Sequence, residues 1–234
     1  MARPALARRS EPLALGILLL LTVCAWVLAV LGGTVLEGRA FAFDEALLLA
    51  LREPGALDDP IGGRWLEEIA RDVTALGGFA LLTLVTVAVS GHLWLSGKWR
   101  SMVFLVAAVV GGALVSTAAK ALFDRPRPEL VPHEVLVTSA SFPSGHTMLA
   151  AVTYLTLAAL MARVETRRRI RLYLLTVALV VTVAVGASRV YLGVHWPTDV
   201  IGGWAAGTLW ALLAWLVARR LGLAGRIDPE PPER

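Results

Sequence analysis

The sequence predicts an all-α integral-membrane bundle of six transmembrane helices, and three observations carry that prediction. Hydrophobic residues make up 57% of the 234 and charged residues only 17%, against roughly 45–50% and about 25% in soluble domains. The mean hydropathy is +0.69. Six apolar runs, each near the ~20 residues of a bilayer crossing, divide the chain, and most basic residues lie on one side of them.

The first run, Leu13–Leu36, follows Arg3, Arg8 and Arg9. A secretory signal peptide also starts with basic residues, but its apolar core spans only about 7–15 residues, so this run reads as an uncleaved span. Runs at Val73–Leu95, Met102–Phe123, Thr147–Ala162, Leu172–Ala187 and Val200–Ala218 supply the other five. The fourth and fifth are short for a tilted crossing, so their ends are expected to extend into the flanking residues. This gives a cytoplasmic N-terminus over residues 1–12, a six-helix domain over 13–220 and a tail over 221–234. Three prolines and alternating charge in Ile227–Arg234 predict a disordered tail.

Residues 37–72 are mixed in character and form an interfacial segment between spans one and two. Phe41–Arg52 reads as an amphipathic helix lying at the membrane surface, with a short helix capping the bundle as the equal alternative. Pro60 and Gly62-Gly63 mark a turn before the second span. With the N-terminus inside, 14 of the 22 Lys and Arg residues fall on the cytoplasmic side, which places both termini there. The net charge of +4 is thereby a topology signal, and nucleic acid is not expected as a partner. Cys24, the single cysteine, leaves no intrachain disulfide and no cysteine-based metal cluster.

Three polar clusters interrupt the apolar sequence: Lys120 to Pro128 at the end of span three, Pro143-Ser144-Gly145-His146 at the start of span four, and Ser188-Arg189…His195…Asp199 between spans five and six. Six spans bring the ends of three and five and the starts of four and six to one side, so topology alone gathers the clusters. Their chemistry suits a phosphate. Lys120 offers a compact point charge, and Arg127 and Arg189 offer planar forks; snorkelling to headgroups is the bland alternative for each. Lys98 and Lys120 are the only lysines, which singles Lys120 out. Ser144 and Gly145 read as a helix start with free N–H groups for an anion, with His146 in the first turn. Pro197 suits a first helical position, and Asp199 stands four residues from His195. A carboxylate on one imidazole nitrogen fixes the tautomer and frees the other as nucleophile or base.

These clusters resemble the signature of the type 2 phosphatidic acid phosphatase superfamily: Lys, six residues, Arg-Pro; Pro-Ser-Gly-His; and Ser-Arg, five residues, His, three residues, Asp. All eleven specified positions match, a coincidence on the order of 10⁻¹⁴ at one in twenty each. The resemblance covers about residues 70–220, including Arg71–Gly78 at the entry to span two. It implies that His195 attacks phosphorus to form a phosphohistidine, oriented by Asp199, while His146 protonates the leaving oxygen and then activates water. It implies that Lys120, Arg127, Arg189, Ser144 and the Gly145 amide hold the phosphoryl oxygens, with no metal or other cofactor. Asp124, Glu129, Glu134 and Asp199, the carboxylates of the clusters, show no obvious ligand pair. His92 and His133 lie outside the signature.

The expected substrate is a lipid phosphate. Undecaprenyl diphosphate leads, with phosphatidylglycerol phosphate or phosphatidic acid as the alternative. The expected location is a bacterial inner membrane, the site facing the periplasm and membrane lipids around it. Vanadate-dependent haloperoxidases share the signature but are soluble, and a non-catalytic lipid or anion transporter would need no His–Asp pair. A lipid substrate also requires a lateral opening, for which span three and Phe41–Arg52 are the candidate walls. Gly203 and Gly207 form a small-xxx-small pair open to a homodimer contact, with packing inside the bundle favoured.

Overall fold

The computed structural model describes residues 4–39, 41–131 and 139–220, with no side chains described before residue 14 or at 219. Arg3, His133, Glu134 and the tail over 221–234 therefore lie outside the described residues. Among the described residues eight helices run in order: α1 (Pro4–Leu36), α2 (Ala42–Ala50), α3 (Arg64–Ala75), α4 (Phe79–Leu95), α5 (Trp99–Phe123), α6 (Gly145–Val164), α7 (Arg168–Tyr191) and α8 (Pro197–Arg220). Five are long and apolar enough to cross a membrane, within α1, α5, α6, α7 and α8; α3 and α4, bent by 46° at their break, pass the same test as a pair, for up to six. The fourth and fifth crossings extend beyond their apolar runs, as their shortness predicts.

The second crossing departs from the expected continuous run at Val73–Leu95. It breaks at Leu76-Gly77-Gly78, and α4 restarts at Phe79. A Cβ at Gly77 would stand 2.5 Å from Val185 and 3.0 Å from the His146 carbonyl oxygen, so the chain passes there as bare backbone. The Tyr154 hydroxyl donates to the Leu76 carbonyl at 2.7 Å, satisfying an acceptor that the break frees.

At the centre stands α6, packed on α5, α7 and α8, while α1 lies against α8, α3 against α7 and α4 against α5. Its buried face is built from small residues, among them Ala150, Ala151, Thr153 and Ala158, which lets neighbours approach closely. Cβ atoms at Gly203 and Gly207 would stand 2.8 Å from the Ser144 carbonyl oxygen and 2.6 Å from that of Met148. That glycine pair is therefore spent on the α6–α8 crossing.

Residues 37–72 place a short helix against α8 and add a strand pair that hydropathy does not show. On α2, Asp44 and Leu48 are buried while Phe43 and Leu47 are exposed. A short antiparallel hairpin follows, β1 (Arg52–Glu53) with β2 (Ala56–Pro60), turning at Gly55 with φ +90°. Arg52 donates at 2.9 Å to the Tyr191 carbonyl and the Tyr191 hydroxyl donates at 2.9 Å to the Ile61 carbonyl. The segment is thus fastened to the end of α7.

Candidate active site

All three polar clusters meet at one end of the bundle. Helix α5 carries Lys120 in its last turn and stops at Asp124, whose φ of +39° is left-handed; Asp tolerates that region better than most residues. The Lys120 ammonium donates to the Ala140 carbonyl. Arg127, in the segment after α5, donates to the carbonyls of Ser139 at 2.9 Å and Val194 at 2.6 Å. Its Nη1 stands 3.3 Å from Nε2 of His195. Arg189, in the last turn of α7, is 3% exposed; it donates to Thr74 Oγ1 at 3.1 Å, and its Nε is buried without a partner.

Ser144 occupies the N-cap position of α6 without a capping side-chain bond. Its hydroxyl oxygen instead accepts from Thr147 Oγ1 at 2.9 Å, which leaves the Ser144 proton free to donate. A Cβ on Gly145 would come within 3.3 Å of Lys120 Cε, so a larger residue there would crowd the ammonium. His146 follows in the first turn, its backbone against Gly77. Lys120, Arg127 and Arg189 all act electrostatically on its ring.

His195 sits between α7 and α8, 1% exposed. Its Nδ1 lies 3.3 Å from Asp199 Oδ2, so Nδ1 carries the proton and Nε2 presents a lone pair toward Arg127. The pair meets although α8 begins only at Pro197, after His195. Asp199 reaches back over the helix start and accepts the Trp196 N–H at 2.9 Å, as an N3 carboxylate does in a capping box. Burial foremost pushes His195 down to about 3, with the nearby Arg127 and Arg189 adding to it and Asp199 opposing it. The imidazole is neutral at physiological pH.

Four further residues surround this pair, and the polar motifs do not reveal them. Ser141 donates to Asp199 Oδ2 and lies 3.3 Å from His195 Nδ1. Arg125 donates to Asp199 Oδ1 at 2.6 Å and to Asp44 Oδ2 at 2.8 Å. Asp44 also accepts the Thr198 N–H at 2.8 Å and the Thr198 hydroxyl at 2.6 Å. Arg125 follows the motif lysine closely enough to read as a second phosphate fork, but both its terminal nitrogens are committed to carboxylates. Asp44 carries no local signal, because α2 starts with two acids, Asp44 and Glu45, as helices facing water commonly do.

Charge is unbalanced here. Among the described residues, Lys120, Arg127 and Arg189 form no ion pair with a carboxylate, and Asp199 is already shared by Arg125 and His195. The three cations repel one another at short range. Like charges, one buried and two half-buried, with open donors are the electrostatics of a site for a multiply charged oxyanion. Among the described residues no three His, Cys, Asp or Glu side chains are grouped to hold a metal ion. His92 lies in the last turn of α4, at the opposite end of the bundle.

A groove of about 880 Å³ opens between α4 and α5, lined from Phe79 and Thr117 at the site end to Trp94 and Met102 at the other. Helix α5, a candidate wall of a lateral opening, is a wall of this groove. The Phe41–Arg52 segment is not, because Asp44 ties α2 to the start of α8.

Residues 100–222 match the PAP2 superfamily. Phosphatidylglycerophosphatase B of Bacillus subtilis is 36% identical over 152 residues, covering 62% of this chain and 71% of that protein. The undecaprenyl-diphosphatase of Sulfolobus acidocaldarius is 35% identical over 71 residues, 30% of each chain. The crystal structure of a transmembrane PAP2-type phosphatidylglycerolphosphate phosphatase from Bacillus subtilis superposes with a TM-score of 0.73 at 27% identity, over 86% of this chain and 96% of that one.

Proposed function

The chain belongs to the PAP2 superfamily, and on that premise we propose that it hydrolyses a long-chain lipid phosphate or diphosphate through a phosphohistidine intermediate on His195. The observation that carries this reading is the neutral His195, its Nδ1 held by Asp199 and its Nε2 facing Arg127, which with Lys120 and Arg189 has no carboxylate partner among the described residues. In the first step Nε2 forms a bond to phosphorus as the bond from phosphorus to the lipid oxygen breaks, and His146 gives that oxygen a proton. In the second, His146 takes a proton from water, the water oxygen bonds to phosphorus, and phosphate leaves His195. Asp199 offsets the positive charge that the ring acquires. Lys120, Arg127, Arg189, Ser144 and the Gly145 amide hold the equatorial oxygens throughout.

An isoprenoid diphosphate such as undecaprenyl diphosphate is our leading substrate. A glycerolipid phosphate is the second reading, favoured by the phosphatidylglycerophosphate phosphatase activity named for Bacillus subtilis among the similar proteins. The one-sided distribution of Lys and Arg supports an inner-membrane protein whose site faces away from the cytoplasm. Phosphate release from a panel of purified lipid phosphates in detergent tests the reading and ranks the substrates; no release from any of them overturns it.

Activity is expected to survive EDTA and to be blocked by vanadate, because the cations supply the charge stabilisation and vanadate adopts the trigonal-bipyramidal shape around His195. Loss on chelation with recovery in magnesium would contradict this. Lys120→Arg is expected to lower kcat by about 10-fold or more, since the larger guanidinium meets Gly145 where Lys120 Cε already lies close. A wild-type rate would reduce Lys120 to a snorkelling residue.

The depressed His195 value fixes a sign for pH dependence. A base held at about 3 stays unprotonated, and nucleophilic, as pH falls from 7 to 5. The rate of phosphoenzyme formation measured by rapid quench should therefore hold or rise over that interval. A tenfold fall per pH unit below 6.5 would show an ordinary imidazole titrating.

A further inference from the structure

We propose that Asp44, on the helix between the first two spans, is a positioning residue for phosphoryl transfer, acting through Arg125 on the carboxylate that holds His195. The inference rests on the reading of His195 as nucleophile. Its basis is a continuous chain of buried charge. Asp44 and Asp199 side chains are 1% and 0% exposed, and the Arg125 side chain between them is 10% exposed.

Arg125 divides its two terminal nitrogens. Nη2 goes to Asp44, while Nη1 goes to Asp199 and to Thr198 Oγ1 at 2.8 Å. The Thr198 hydroxyl donates in turn to Asp44, closing a ring of Arg125, Thr198 and Asp44. The guanidinium lies over the Phe41 and Trp196 rings, 5.9 Å and 5.6 Å from their centroids, an arrangement that favours the cation and restrains its plane. Phe41 and Asp44 both come from the chain around α2, outside the residues that match the family.

The consequence concerns Asp199. With Asp44 present, one guanidinium charge is shared by two carboxylates, and Asp199 keeps Oδ2 for His195, Ser141 and the Trp196 amide. Without it, both forks of Arg125 are free to turn on Asp199. Its carboxylate rotates toward them, and its charge is spent there rather than on the imidazolium that forms during transfer. The oxyanion side, made by Lys120, Arg127 and Arg189, has no contact with Asp44 and keeps its affinity for a phosphate-like anion.

The test is Asp44→Asn, an isostere, assayed with 32P-labelled phosphatidic acid in detergent. Loss of an outer partner of a positioned group changes activity by about 10- to 100-fold. We expect kcat to fall by that factor while KM and the vanadate inhibition constant stay within about threefold of wild type. Arg125→Lys, whose single ammonium cannot span both carboxylates, should give the same split and decides the matter if the first variant does not fold. A wild-type kcat, or a parallel loss of kcat and vanadate affinity, overturns the assignment. Acid-labile label on His195 of the wild-type enzyme is measured alongside. Its absence refutes the nucleophile, whereas label on the wild type with normal turnover in Asp44→Asn refutes only the role of Asp44.

Discussion

Replacing His195 by alanine is expected to abolish turnover, leaving less than about 10⁻⁴ of the wild-type rate with a lipid phosphate. Among the described histidines, only His195 presents a neutral, carboxylate-oriented nitrogen to the cations; His146 has no such carboxylate among its charged neighbours, all three of which are positive. Binding should persist, because Lys120, Arg127 and Arg189 are untouched, so the variant should still take up vanadate and protect the fold against heat. Asp199→Asn should cost about 10²- to 10⁴-fold, and it should also destabilise the protein. Its carboxylate is fully buried and paired with Arg125, and removing one partner of such a pair costs about 3–5 kcal/mol. Rates for that variant are meaningful only per folded molecule, measured after size exclusion in detergent. Substantial activity in a pure His195→Ala preparation removes the covalent mechanism.

The parts of this site that were legible in the sequence are those written at short, fixed spacing. Lys120 with Arg127, Ser144 with His146, and His195 with Asp199 each lie within one turn of a helix end, and an even number of crossings brings them together. Residues joined only by the fold were invisible. Asp44 meets Arg125 across 81 positions, and nothing local distinguishes it from a helix-start acid facing water. Ser141 reaches Asp199 across 58 positions and precedes its motif by two residues. The broken second crossing was likewise hidden, because Leu76-Gly77-Gly78 is apolar and hydropathy reads straight through it. What breaks it is tertiary: the backbone must pass His146 with no Cβ in the way, and Tyr154 is placed to satisfy the carbonyl released.

The second large effect concerns the tail of the substrate. A soluble phosphomonoester is expected to be turned over at least about 10³-fold less efficiently than a long-chain lipid phosphate bearing the same headgroup. Each CH₂ drawn out of water contributes about 0.8 kcal/mol, so six or more missing methylenes account for a factor of this size. The groove between α4 and α5 supplies the path. Its α4 wall has 17 residues, about 25 Å at 1.5 Å per residue, close to the ~30 Å hydrocarbon depth of a bilayer. Thr117 at its mouth is three residues from Lys120 and so on the same helix face, and Phe79 stands two residues after Gly77, which brushes His146. A headgroup can therefore reach Lys120 and His195 while its chain stays among apolar side chains. The bilayer already shelters that chain, so the groove adds orientation more than affinity, and the measurement must separate the two. Val110→Trp, in the middle of the groove wall, does so: it should cut kcat/KM for the long-chain lipid by about tenfold or more and leave the soluble ester unaffected. Equal losses on both substrates, or none on the lipid, would show that the chain takes another route, and equal efficiency of the two substrates on the unmodified enzyme would show a site that opens to water.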